Sequence, residues 1–161
     1  MRVLHVCNYA GIPMVLAKYH RRLGHVVDVV DNDLINLRTT TNYWEYDPNI
    51  IGLHGGDEVV KWVYGHADDY DVLHCHGDAL GGYPDSEREL TAKKPTIIHI
   101  HGYELKNMNM GKVHYYKAFL VSTPDLYDEG IFRRIWLPNS LDLVMWKREG
   151  RKGNRVLGVH P

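Results

Sequence analysis

The sequence predicts an α/β domain whose mainly parallel sheet carries helices on both faces. Three observations predict it. Short β-branched apolar runs begin at Val3, Val26, Val72, Ile97 and Ala118. Each run is continuously apolar rather than alternating, as strands buried on both faces are. Stretches with helical spacing lie between several of them. The 161 residues are enough for one domain of ordinary size with a true core.

Each element has its own signal. Val3 to Cys7 (VLHVC) is bounded by Asn8, Tyr9, Ala10 and Gly11, so it reads as a buried strand ending in a glycine loop. Pro13 suits a first helical turn, and Met14, Leu16, Ala17 and Leu23 recur against Lys18, Arg21 and Arg22 at helical spacing. Gly24 closes that helix, and VVDVVD from Val26 is the next strand. Strand, helix and strand make a βαβ unit with a right-handed crossover. Residues 32–53, rich in Thr, Asn and aromatics, read as loop with at most a short strand. Asp57 to Ala67 is a helix with Val59, Val60, Val63 and Tyr64 on one side, and VLHCH from Val72 is a strand. GDALGGYP is loop, SERELTAKK a short helix, and PTIIHIH from Pro95 a strand. Residues 103–117 read as partly helical, and Ala118 to Ser122 as a strand. Pro124 opens a short helix through Leu126 and Tyr127, and RIWLPNS forms a last short strand and turn. KREGRKGNR, with five basic residues and two glycines, reads as a linker, and RVLGVHP as the start of a further strand. The division is therefore 1–146 for the domain and 147–161 for the basic linker and the start of that further strand.

Composition narrows the function. A net charge of −1 supplies no global field to attract nucleic acid. No apolar run approaches the ~20 residues that span a bilayer, and MRVLHVCNYAG lacks the apolar length of a signal peptide. Two cysteines, Cys7 and Cys75, sit inside apolar runs and read as buried free thiols of a reducing cytoplasm.

The 11 histidines need a separate account. VLHCHG and IIHIHG nearly repeat each other, each an apolar run, then His-x-His, then Gly. Side chains two apart on a strand share a face, so His74 pairs with His76 and His99 with His101. In a parallel sheet, ligands lie beyond the carboxyl ends of the strands. His76, His101, Ser122, Thr123 and the loop from Asn8 to Gly11 occupy that edge. The expectation is that His76 and His101 reach the cleft while His74 and His99 pack beneath a helix. A metal site would need three or four of these rings to converge, with Asp78 or Glu104 completing the shell. His-x-His strands do this in barrel hydrolases, but 161 residues are too few for an eight-fold barrel. The expectation is no metal and no cofactor.

The segments MRVLHVCNYAG, LGHVVDVV, YDVLHCHG, KPTIIHIHGYEL, FLVSTPDL and IWLPNSLDLVMW occur in an order that resembles family-4 glycosyltransferases. The resemblance covers their N-terminal, acceptor-side domain from Met1 to about Trp146. It implies a Rossmann-like three-layer α/β/α domain, one half of a GT-B fold, in a retaining enzyme that uses a nucleotide-sugar donor as substrate. Two motifs depart from the pattern. A single Gly11 stands where such enzymes have a Gly-Gly pair, and PNSLD stands for Pro-Asn-Gly-x-Asp. RVLGVHP resembles the first strand of the second domain, which supplies most nucleotide contacts and the paired glutamates in such enzymes.

The resemblance implies that His101 lies beside the donor sugar and the reaction centre, with Gly102 behind it. Gly11 would admit a diphosphate to the backbone N–H groups of the following helix. His76 and Asp78 would line the acceptor pocket, Ser122 and Thr123 would shape its floor, and Asn139 and Asp142 would fix the interdomain hinge. The expected partners are a second Rossmann-like domain or subunit, a nucleotide sugar, and a sugar or lipid-linked acceptor. Lys106, Lys112 and Lys117, among Met108, Met110, Tyr115 and Tyr116, are compatible with peripheral contact at the inner membrane face; a solvated face over packed aromatics accounts for them better. Two other classes fit parts of the sequence: a non-catalytic half that recruits a partner or acceptor, and a small histidine-rich metal hydrolase.

Overall fold

The computed structural model describes residues 1–7, 11–31, 50–80, 84–102, 110–123 and 134–139. Its strands are β1 (Arg2–Val6), β2 (Val26–Asp31), β3 (Ile50–Gly52), β4 (Val72–His76), β5 (Thr96–Ile100), β6 (Ala118–Val121) and β7 (Arg134–Trp136). Its helices are α1 (Ile12–Arg22), α2 (Gly56–His66) and α3 (Pro84–Lys93), with a 3₁₀ segment at Met110–Tyr115. All seven strands are parallel, in the order β3-β2-β1-β4-β5-β6-β7. This is a Rossmann-like α/β sheet, and the five apolar runs and the short strand expected in RIWLPNS all belong to it. Ile50–Gly52 is an edge strand, at the end of the stretch read as loop with at most a short strand. The expected helix at Pro124 and the segments 103–109 and 140–161, including the domain boundary at 146 and the basic linker, lie outside the described residues.

The sheet's two faces differ in chemistry. On one, Leu4, Val6, Val30, Leu73 and Cys75 pack against Val59, Val60 and Val63 of α2 and Leu90 of α3. Ile98, Ile100, Phe119 and Val121 continue that apolar face under Tyr116. On the other, Val3, Val27 and Val29 meet Ala17 of α1. Beyond them the same face carries His5, His74, His76, His99 and His101, because each stands two residues from another inward-facing position. The register sets His5 beside His74 and His76 beside His99. Tyr116 is core rather than lipid-facing surface, and its hydroxyl donates to the buried Glu87 carboxylate. Lys117 beside it is exposed. No described helix is long and apolar enough to cross a membrane.

Candidate functional site

Strand order reverses between β1 and β4: the chain moves outward from β1 to β2 and β3, then returns to β4 on the other side. A crevice opens beyond the carboxyl ends of the strands at such a point. Both strands leave the sheet through a left-handed residue, Cys7 after β1 and Gly77 after β4, each at φ 63°. Glycine meets that conformation without a Cβ penalty, whereas Cys7 carries strain of about 1 kcal/mol or more. Sheet hydrogen bonds continue into these exits, from Cys7 N–H to the Val30 carbonyl at 2.8 Å and from Gly77 N–H to the His99 carbonyl at 2.8 Å. The crevice is thus walled by backbone that the sheet itself holds.

Gly11, buried and at φ 76°, caps α1 with no side-chain hydrogen bond, and no acidic residue stands in the first turn. Pro13 occupies the start of the helix as expected. Asp78 and Gly102 are half-buried beside the ends of β4 and β5, as is Thr123 after β6. Ser122 is buried, and its N–H donates to the Ile100 carbonyl at 2.9 Å.

The expected division between outer and inner histidines is not what the structure contains. His76 and His101 are 1% and 7% exposed, as buried as His74 and His99 at 4% and 0%. The outer rings turn back along the sheet because other imidazoles await them. His5 Nδ1 is 2.9 Å from His76 Nε2, and His76 Nδ1 is 3.0 Å from His101 Nε2. His101 Nδ1 lies 2.9 Å from both Ser122 Oγ and Asn139 Oδ1. Ser122 Oγ is also 2.9 Å from His99 Nε2. At the other end His5 Nε2 is 3.3 Å from Nδ1 of His20, on the last turn of α1. The rings stack as well: His76 and His101 are parallel to within 3°.

Burial sets their charge. It lowers His5 and His76 well below the ordinary value, with the charges of neighbouring histidines adding to the effect. Burial, then the charge of His99, brings His74 down to about 3. Burial, then the charge of His101, brings His99 down to about 4, with the Leu137 backbone opposing. Half-buried His20 is lowered by burial and then by His25. At neutral pH these are uncharged imidazoles, each able to donate one hydrogen bond and accept one. Burial, then Asp31, pushes the Cys7 thiol up to about 12, and burial raises Cys75 well above its ordinary value, so both free thiols are inert.

Two sets of rings offer nitrogens within 4.8 Å of one another, His5 with His74 and His76, and His76 with His99 and His101. That approaches the spacing of a transition-metal shell. Most of those nitrogens already engage one another or Ser122; His74 Nε2 has no hydrogen-bond partner. Histidine-pair spacing signalled four members of the cluster. It did not signal His5, whose strand has only one histidine, or His20, which arrives from a helix. Asn139, read as a hinge residue, ends the chain of contacts; the fact that could have found this contact is the proximity of β6 and β7, which sequence spacing does not give.

No family model matches the chain, and no curated protein matches it. Among solved structures, MurG from Acinetobacter baumannii, a glycosyltransferase of GT-B fold, superposes with a TM-score of 0.60 at 12% identity. The match covers 88% of this chain and 46% of that one, so this chain spans about half the length of MurG. The shared feature is the fold: a Rossmann-like α/β domain like that in a GT-B glycosyltransferase.

Proposed function

We propose that this chain is the N-terminal, acceptor-side domain of a nucleotide-sugar-dependent glycosyltransferase, family-4-like and retaining. The observation that carries the reading is the switch point between β1 and β4, with Gly11 opening α1 after β1. The likeness to about half of a GT-B enzyme agrees with it. In this reading the uncapped first turn of α1 receives the donor diphosphate, since backbone N–H groups and the helix dipole favour an anion there. His76, Asp78, Ser122 and Thr123 shape the acceptor side, and His101 with Gly102 stands at the reaction centre. A second Rossmann-like domain, on the same polypeptide or another, clamps the nucleotide across the cleft. The acceptor is a sugar or a lipid-linked sugar, reached in the cytoplasm or at the inner membrane face. In this reading the site uses no resident metal: His5, His76 and His101 engage one another, and His101 and His99 engage Ser122.

Residues Met1 to Pro161 alone should not transfer sugar, because positioning across a two-domain cleft supplies much of such catalysis. Joining or mixing in a second domain should produce transfer from one member of a panel of nucleotide sugars, and the rate should survive a chelator. Turnover by the isolated domain, or activity that the chelator abolishes, would count against this reading.

A further inference from the structure

The contacts that run from α1 to Asn139 have a direction. Each imidazole meets the next through Nδ1 on one ring and Nε2 on the other: His20 Nδ1 to His5 Nε2, His5 Nδ1 to His76 Nε2, His76 Nδ1 to His101 Nε2. The last nitrogen, His101 Nδ1, faces Asn139 Oδ1. A carbonyl oxygen only accepts, so His101 carries its proton on Nδ1. Its Nε2 must then accept, which obliges His76 to carry a proton on Nδ1 as well. The same reasoning passes to His5 and to His20. Ser122 fits the direction, accepting from His101 Nδ1–H and donating its own proton to His99 Nε2.

We propose that His20, His5, His76 and His101 form one polarised relay, its tautomers set by Asn139, that carries protons between the α1 surface and His101. His20 is the half-buried port, and exposed Asn139 marks the far mouth, while the rings between are buried. A proton taken up at His20 Nε2 lets His20 Nδ1–H pass to His5, His5 Nδ1–H to His76, and His76 Nδ1–H to His101. His101 Nδ1–H then leaves to a basic oxygen of a ligand that has displaced the Asn139 carbonyl. One proton enters and one leaves. Every ring ends protonated on Nε2, and a proton returned from the mouth resets the row. His25 faces His20 at 6.3 Å between ring centroids, and Arg21 and His74 act on His5, so the port sits among groups that discourage a stored charge. His5, His20 and His76 are positioning residues here, and the relay stands whichever ligand the domain takes.

Long-range proton–nitrogen correlation spectra of the nitrogen-15-labelled full chain at neutral pH test it. His5, His76 and His101 should each show a protonated Nδ1 and a bare Nε2. In Asn139→Ala, where the anchoring acceptor is gone, all three should shift together toward the Nε2–H form. His20→Phe keeps the stack on His5 but removes the nitrogens. Exchange of the buried ring protons with water must then await local opening and should slow on the order of tenfold or more. His20→Gln can still donate to His5, so it should keep the tautomers yet show the same slow exchange; it carries the test if His20→Phe fails to fold. An Nε2–H ring at His76 or His101 in the parent, an Asn139→Ala effect confined to His101, or unchanged exchange in the folded His20 variants would overturn the proposal.

Discussion

Acidification should unfold this domain steeply, with a midpoint between about pH 5.5 and pH 3.5. The folded protein keeps four buried rings neutral: His74 and His99, brought to about 3 and about 4, and His5 and His76, lowered well below the ordinary 6.5. Burial is the main cause in each. The unfolded chain protonates the same rings near 6.5, so below that value it binds more protons than the folded protein does. Stability is therefore fully present above the unfolded value and is lost as pH falls toward the folded ones. Once all four rings titrate in the unfolded chain, the slope reaches about 5 kcal/mol per pH unit. A domain's whole stability is only about 5–15 kcal/mol, so one to three pH units exhaust it. Circular dichroism against pH, with potentiometric proton uptake, should show about four protons bound across the transition. His74→Leu should move the midpoint to lower pH and remove about one of those protons, since His74 Nε2 lacks a partner and leucine fills the space without a group to charge. A protein still folded below about pH 3.5 with neutral rings would contradict this.

In the glycosyltransferase proposed above, completed by its second domain, His101→Ala should lower kcat by roughly 10²–10³-fold while the KM for nucleotide sugar changes much less, the pattern of a group that acts mainly in the transition state. The removed ring also supplies the acceptor for His76 Nδ1 and the donor for Asn139 and Ser122. Part of the loss is therefore orientation rather than direct contact. Asn139→Ala separates the two, because it leaves the imidazole in place and removes only the carbonyl that fixes its tautomer. It should lower kcat by a smaller factor and, like His101→Ala, spare KM. Steady-state kinetics on both variants, with thermal unfolding to confirm folding, make the comparison. Full turnover in His101→Ala would remove His101 from the reaction centre.

The sheet was legible because its strands are unmixed apolar runs. Val26–Asp31 and Val72–His76 match their expected limits, and α1, α2 and α3 begin within two residues of theirs. Ile50–Gly52 was not legible, since three residues carry too little periodicity to separate a strand from loop. The site was half legible. Alternation correctly placed each histidine pair on one face, yet it carried no information about which way a ring turns at the strand end. That is decided by neighbours on other strands: His5 attracts His76, and Ser122 and Asn139 attract His101. Such contacts join residues 71, 25 and 38 positions apart, and local patterning is silent at that range.

The unequal faces of the sheet also bear on temperature. Unfolding raises heat capacity by about 12–15 cal/mol/K per residue when mostly apolar surface meets water, whereas exposed polar surface lowers it. Across β4 and β5 much of one face releases imidazoles, with the Ser122 hydroxyl just past β6, where aliphatic carbon would otherwise stand; Leu120 is the buried aliphatic among them. The heat-capacity increment should therefore fall below that range, which scanning calorimetry at neutral pH would reveal, and a value within or above it would show that the polar face counts for little. A smaller increment broadens the stability curve. The same rings that leave the fold vulnerable to acid would then make it comparatively indifferent to cold.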